Sequence, residues 1–571
     1  MASPQKENAH WLDRYAAGYH AWTSTTNEAG RTTFTRPLGL VETSFDSDGA
    51  YYGGRADMTA TLTVEVKHSL SKEDLRRRIA LAWTALRLRH ILLMSRHVDD
   101  PSSGLRHFAI DVPADLPTAL RDVEASTVWI EDDYSSVDAQ HLHDHALNVN
   151  RIIEPQKCMA KLHVLPLHQL PGGTSRLSFL VVMAHQISDG LSAYGWFKDL
   201  LWLLNQPVRS LEAQIQTSLS LDAVTRALPP AQEDLYPRIA GNAARRRWIW
   251  AIVRVLRHVK RGLPPTFANP LYRAQRLVQP WPLEPTYGKV FAYEGAHMPP
   301  LSTGHVSATL SAAASARLMA LCREASVSIG AGCFALAGLA MMKIHASRFP
   351  SQSVDSIPAM TASFPLNPRA FFANPPAAES CMLAFSDGIA MPFLPLSLPL
   401  EKRFRLTAMR ANRELKMYQK RLRTARDGGV SAGLDNHSPS RLLATGYLAQ
   451  IERVEARLPS ERRLGFGNPQ GELKASAGHG ATCGVSSVGS LKGYFRAGEY
   501  DLKADKDFVV DYRGLRMGVR ARDGEFLVGS STDAEGRVGF GVSYDANAIE
   551  PETAEMWART ITGLLEREAK L

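Results

Sequence analysis

One short stretch limits the fold of this chain more than any other. Residues 176–184, RLSFLVVMA, form an apolar run rich in branched side chains, set off by Pro171-Gly172-Gly173. A short run of this kind, bounded by turn residues, reads as a buried strand. It passes directly into His185-Gln186-Ile187-Ser188-Asp189-Gly190, after which LSAYGWFKDLLWLLN turns to helical spacing. The local unit is strand, tight loop, helix, which places the chain in the α/β class.

At 571 residues the chain is too long for one small core. Hydrophobic residues make up 45% and charged residues 22%, which excludes disordered, collagen-like and coiled-coil chains. The formal charge of +9 is a mild excess at this length. It favours anionic ligands, but carries no nucleic-acid motif, so no nucleic-acid partner is expected. The cysteines, Cys158, Cys322, Cys333, Cys381 and Cys483, are odd in number and widely spaced. That pattern predicts neither a disulfide framework nor a CxxC metal site, and fits a reducing compartment. The opening MASPQKENAHWLDRY lacks an apolar segment after a basic start, so no secretory leader is expected and the location read is cytoplasmic. The closing Ala569-Lys570-Leu571 resembles a peroxisomal address, which is the alternative location. The uncharged run 325–342 holds several Ser and Gly, and reads as a buried helix rather than a membrane span.

Along the chain, residues 72–94 place Leu75, Ile79, Ala82 and Leu86 on one helical face. Proline becomes frequent after residue 205, which marks a crossover between two halves. The division read is 1–215 for an N-terminal half, 216–300 for the crossover and 301–571 for a C-terminal half. The crossover carries RRRWIWAIVRVLRHVKRG (245–262), a basic amphipathic helix. In the second half, LSAAASARLMALCREASVSIGAGCFALAGLAMMKIH reads as two helices joined at 326–328. VDSIPAMTASFPLNPR reads as a strand ending in a loop, 401–426 as a basic helix and 427–440 as a flexible loop. GATCGVSSVGSL, LRMGVRARDGEFLVGSS and RVGFGVSYD read as strands before a closing helix, PETAEMWARTITGLLERE. No short-period repeat occurs, and a monomer is expected.

The chemistry lies in the loop. Imidazole is the side chain best suited to take a proton near neutral pH, and a strand end fixes its backbone. The aspartate four residues on can organise the loop, and Gly190 can ease the turn into the helix. A strand end followed by glycine disfavours a metal reading of His185 and Asp189, which would need one helical face, so no metal site is expected.

His-x-x-x-Asp-Gly at the end of an apolar strand resembles the chloramphenicol-acetyltransferase-like superfamily. That group includes plant BAHD acyltransferases, fungal trichothecene O-acetyltransferases and peptide-synthetase condensation domains. The resemblance spans most of the chain. AWTALRLRH comes early, and LMALCREASVSIGAGCFALAGLA opens the second half. SFPLNPR is similar to the Asn-x-Arg strand end, GVSSVGS to the late strand facing the active site, and VGFGVSYDANAIEPETAEMWARTITGLL to the last strand and helix. The plant DFGWG motif is absent; GFGN at 465–468 precedes the GVSSVGS strand instead of following it. The pattern is therefore nearest the fungal O-acetyltransferases. The resemblance implies two similar α/β domains, each a mixed sheet flanked by helices, with an active-site channel between them. It implies that His185 is the general base and Asp189 a structural residue pairing with Arg369. Gly190 would keep the channel open, and Ser486 or Ser487 would donate to the oxyanion. No bound cofactor is implied. The co-substrate would be acyl-CoA, with acetyl-CoA as donor and a small-molecule alcohol of secondary metabolism as acceptor attacking the thioester directly, so that no acyl-enzyme is required. The alternatives are a condensation-type enzyme fed by a carrier protein, and a non-catalytic member that binds a ligand or scaffolds a pathway.

Other patterns receive plainer readings. The cluster His141, His143, Asp144, His145 lies in a polar stretch and reads as solvated surface. G-x-S-x-G at 429–433 lacks the strand and helix that a nucleophile elbow needs. Residues 401–426 hold ten Lys or Arg against two Glu, which suits a solvated helix or a rim for the phosphates of CoA. The 245–262 helix could lie on an anionic membrane, but its place in a crossover favours packing against the two domains.

Overall fold

The computed structural model describes residues 14–566, apart from 29, 102–103, 240, 261–265, 295–299, 373, 387, 427–438 and 464–480. The 429–433 pattern, GFGN at 465–468 and the C-terminal tripeptide lie outside the described residues.

Two sheets organise the molecule. The first runs Phe508–Val519, Met58–His68, Ser175–Met183, Ala160–Val164, Thr127–Trp129. It is antiparallel except for the last pair. The second runs Thr303–Thr309, Val538–Asp545, Phe526–Thr532, Cys483–Ser490, Met360–Ser363, Ile389–Met391. Cys483–Ser490 is parallel to both its neighbours, so both sheets are mixed. A smaller four-stranded antiparallel sheet brings Thr23–Thr26 and Thr32–Pro37 against Arg96–Asp99 and Arg106–Asp111.

Helices cover each sheet for local reasons. Lys72–Arg89 begins where the Ser71 hydroxyl accepts from the Asp74 amide, and it buries Leu75, Ile79, Ala82, Trp83 and Leu86. Gly190–Leu204 packs beside it over the first sheet. Ser311 and Ser328 cap Ala312–Glu324 and Ile329–Arg348 in the same way. The two helices separate at Ser326, whose positive φ breaks the helical path. Ile329–Arg348 is long and apolar enough to cross a membrane, yet 78% of its apolar window is buried in the second core. Leu400–Arg426 packs Phe404, Ala408 and Ala411 inward and exposes Lys402, Arg405, Arg413 and Lys416.

Sheet membership does not follow chain order. After Cys483–Ser490 in the second sheet, the chain crosses to the first. There Phe508–Val519 pairs with the whole of Met58–His68 before the chain returns as Phe526–Thr532. The crossover laces the halves a second time. Phe267 and Leu271 sit in the second core, while Tyr287 and Phe291 sit in the first. Its helix Ala243–Lys260 buries Ile249, Trp250 and Val253; the last two join a cluster with Tyr15, Leu443, Tyr447 and Leu448.

One expectation is corrected. The His141–His145 stretch is not solvated surface: it is the helix Ala139–Ala146, capped by Asp138, with His143 and His145 buried. Helical spacing turns Leu142, His143, His145 and Ala146 inward, and a hydroxyl takes up the Nδ1 of each buried ring. His143 Nδ1 lies 2.8 Å from Thr61 Oγ1, and His145 Nδ1 lies 2.6 Å from the Tyr293 hydroxyl.

Candidate active site

The strand Ser175–Met183 is buried from Leu177 onward and stops at Ala184. His185–Ile187 form one tight turn, Ser188 is extended, and Asp189 caps Gly190–Leu204. The two carboxylate oxygens of Asp189 have different duties. Oδ1 accepts from the Ser192 amide at 2.9 Å, and the Asp189 amide donates back to Ser192 Oγ at 2.7 Å. Oδ2 accepts from Arg369 Nη2 at 2.8 Å and from the Met382 amide at 3.1 Å. The pair is buried and ties the two halves together across the loop. Arg369 meets Asp189 through one nitrogen rather than as a fork, because the second oxygen is committed to the helix cap. The same Nη2 also donates to the Ser380 carbonyl at 2.6 Å, and Nη1 to Asn367 Oδ1 at 3.3 Å. Asp189 makes no hydrogen bond to His185 and organises only the loop that holds it.

His185 is half-buried. Its ring stacks on Phe45 with centroids 3.8 Å apart and planes 3° from parallel. Cys381 Sγ lies 3.9 Å from Nδ1, a thiol whose pKa burial pushes well above its ordinary value. Burial lowers the His185 pKa to about 4. Arg522 lowers it further, while hydrogen bonding to the main chain of its own loop and the charge of Asp189 oppose the shift. The imidazole is neutral at neutral pH.

Phe45 comes from the helix Leu40–Tyr51, which buries acids on several sides. Glu42 takes both nitrogens of Arg36 at 2.6 and 2.7 Å. Asp46 pairs with Arg106 at 2.7 Å and lies 3.4 Å from Gln186, the neighbour of His185. Asp48 is fully buried and pairs with Arg457 and with Arg522, the latter at 2.7 Å. Arg522 in turn sits 5.3 Å from the Phe45 ring centre. Charge pairs therefore hold the helix, and the helix holds one face of His185.

No family model matches the chain, and no curated protein matches it. Solved structures do. The trichothecene 15-O-acetyltransferase TRI3 from Fusarium sporotrichioides superposes with a TM-score of 0.64 at 12% identity, over 96% of this chain and 97% of that one. The chain has the chloramphenicol-acetyltransferase-like fold. The condensation domain of the monacolin K polyketide synthase MokA gives 0.51 at 10% identity, over 93% and 96%. The four-domain nonribosomal peptide synthetase AB3403 gives 0.53 at 10% identity, over 95% of this chain and 33% of that one.

In this acyltransferase and condensation-domain fold, the remaining sequence candidates separate. Ser486 and Ser487 both lie on Cys483–Ser490, and no hydrogen bond among the described residues joins either to the His185 loop. Ser487 shares the pleat face of Cys483 and Val485 and lies beside Gly330, at the start of Ile329–Arg348. Ser486 is on the opposite pleat face, with its carbonyl 3.5 Å from Ser530 Oγ. Gly190 has no left-handed backbone, so conformational freedom does not explain it; a Cβ there would project into open space. Sequence reasoning missed Phe45, Asp48, Cys381 and Arg522. Only the Arg36–Glu42 pair left a local trace, because the partners of Asp48 lie hundreds of residues away in the chain.

Proposed function

We propose that this chain transfers an acyl group, in the first instance acetyl, from acyl-CoA to a hydroxyl of a secondary-metabolite alcohol. The observation that carries the reading is His185: a neutral, half-buried imidazole at a strand end, set by a buried Asp189–Arg369 anchor that makes no hydrogen bond to the ring. The superposed O-acetyltransferase supports acyl transfer to oxygen, and its TM-score exceeds that of the MokA condensation domain.

In this reading the unprotonated nitrogen of His185 takes the acceptor's hydroxyl proton as the oxygen attacks the thioester carbonyl. A C–O bond forms, and the carbonyl electron pair moves to oxygen. The tetrahedral intermediate collapses, the C–S bond breaks, and the departing thiolate takes the proton back from the imidazolium. The products are an ester and free CoA, and the ring ends neutral. Ser486, facing away from the helix layer, is the donor proposed for the oxyanion; one such donor lowers a barrier by about 3 kcal/mol. The exposed cations of Leu400–Arg426 offer one place for the phosphates of CoA.

The test supplies the purified protein with acetyl-CoA and a panel of polyhydroxylated alcohols, and reads free thiol and ester mass. Alcohol-dependent thiol release is expected. Turnover only with an acyl-loaded carrier protein would move the assignment to the condensation type. No turnover with either donor across the panel would favour a binding or scaffold role.

A further inference from the structure

The crossover helix Ala243–Lys260 looks two ways. Ile249, Trp250 and Val253 are buried, with Trp250 against Tyr15 at 5.1 Å and Tyr447 at 6.1 Å between ring centres. The other side carries Arg247, Trp248, Ala251, Arg254 and Val255, all exposed and recurring at helical spacing. Trp248 is 66% exposed and Val255 62% exposed. The packing expected of a crossover helix therefore accounts for one side only.

The exposed side has a composition of its own. Arg245, Arg247 and Arg254 are exposed along it, and the helix contains no Asp or Glu. A single surface tryptophan needs no explanation. A tryptophan and a valine seven residues apart on one face, flanked by arginines, match what an interface between water and anionic lipid selects. The indole sits at headgroup depth, the valine reaches the acyl boundary, and the guanidinium groups meet phosphates. Duplex nucleic acid would attract the same arginines, but its bases are already stacked and give Trp248 and Val255 no apolar counterpart.

We propose that this helix lays its Trp248–Val255 face on an anionic lipid surface and so holds the protein peripherally at a membrane. Nothing in this depends on the identity of the acyl donor or acceptor.

Flotation of the whole protein with phosphatidylcholine vesicles, with and without phosphatidylserine, tests it. Binding is expected to the anionic vesicles, with at least about tenfold weaker partition to pure phosphatidylcholine and a marked loss at high salt. Trp248→Ser with Val255→Ser should weaken partition to anionic vesicles by about tenfold or more, with an unchanged melting temperature and unchanged thiol release on soluble substrates. Arg245→Gln with Arg247→Gln should weaken it in the same direction. The proposal is overturned if the wild type ignores anionic vesicles, or if the Trp248/Val255 variant floats like the wild type. It is also overturned if a duplex nucleic acid binds wild type and that variant equally and strips both from the vesicles.

Discussion

Two histidine regions of the first half invite comparison. Burial lowers the basicity of both: His185 to about 4, His145 to about 4, and His143 well below its ordinary value. Their surroundings differ. His143 is fully buried, with Nδ1 on Thr61 and its other nitrogen closed in beside Gly518. His145 is held between Tyr293 and His141, its Nε2 3.0 Å from that of His141. His185 is only half-buried; one ring face lies on Phe45 and no carboxylate touches it. A depressed pKa therefore does not mark a catalytic base. What separates the regions is exposure, on which the proposed reach of a substrate depends: His185 keeps some, His143 and His145 almost none.

The sharpest way to break the comparison is to exchange the two losses. His185→Ala should cut kcat/KM by about 10²–10⁴-fold with a melting temperature near wild type. His143→Ala should do the reverse, lowering the melting temperature while leaving activity per folded molecule within a few-fold. If the two variants gave the same pattern, reach would not be the distinction.

The anchor comes next. Arg369→Ala leaves Asp189 buried beside a lost partner, and should lower unfolding free energy by about 3–5 kcal/mol in a denaturant titration. An unchanged stability and full activity would remove Arg369 from the account.

Acid sensitivity sharpens the other side. Two further rings outside the His185 loop, His163 on Ala160–Val164 and His305 on Thr303–Thr309, are held at about 4 by burial, against about 6.5 in an unfolded chain. Between those values the unfolded chain takes protons that the folded one refuses. Stability should be full above about pH 6.5, fall as pH drops toward 4, and level below it, by up to about 3 kcal/mol for each such ring. A flat stability across that window would show that the rings are hydrated.

The smallest effect is expected at Phe45. Phe45→Ala admits water to one face of His185, so the pKa of the ring should rise from about 4 toward the ordinary value. The acid limb of kcat/KM should then move to higher pH by less than about one unit. A limb that stays in place would mean that burial by other groups sets the value.

How much of this was legible in the sequence follows from distance along the chain. The strand, the His185 turn and the capped helix are local, and their periodicity showed them. The partner of Asp189 was legible only because LNPR resembles a known strand end; no local rule joins residues 180 positions apart. Leu40–Tyr51 went unread because its acids give it no apolar stripe, and the arginines that allow their burial, Arg106, Arg457 and Arg522, lie far along the chain. The Ala139–Ala146 helix was misread for a related reason. Its histidines look polar until Thr61, Tyr287 and Tyr293 supply the hydroxyls.

The pH dependence of kcat/KM, measured on wild type and on His185→Ala, tests the central claim most directly. A neutral His185 acting as the base predicts a wild-type plateau that persists down to about pH 5 and halves near pH 4, and a variant that loses both the rate and the limb. A wild-type limb near the ordinary histidine value, or a variant that keeps the wild-type rate and profile, would contradict it.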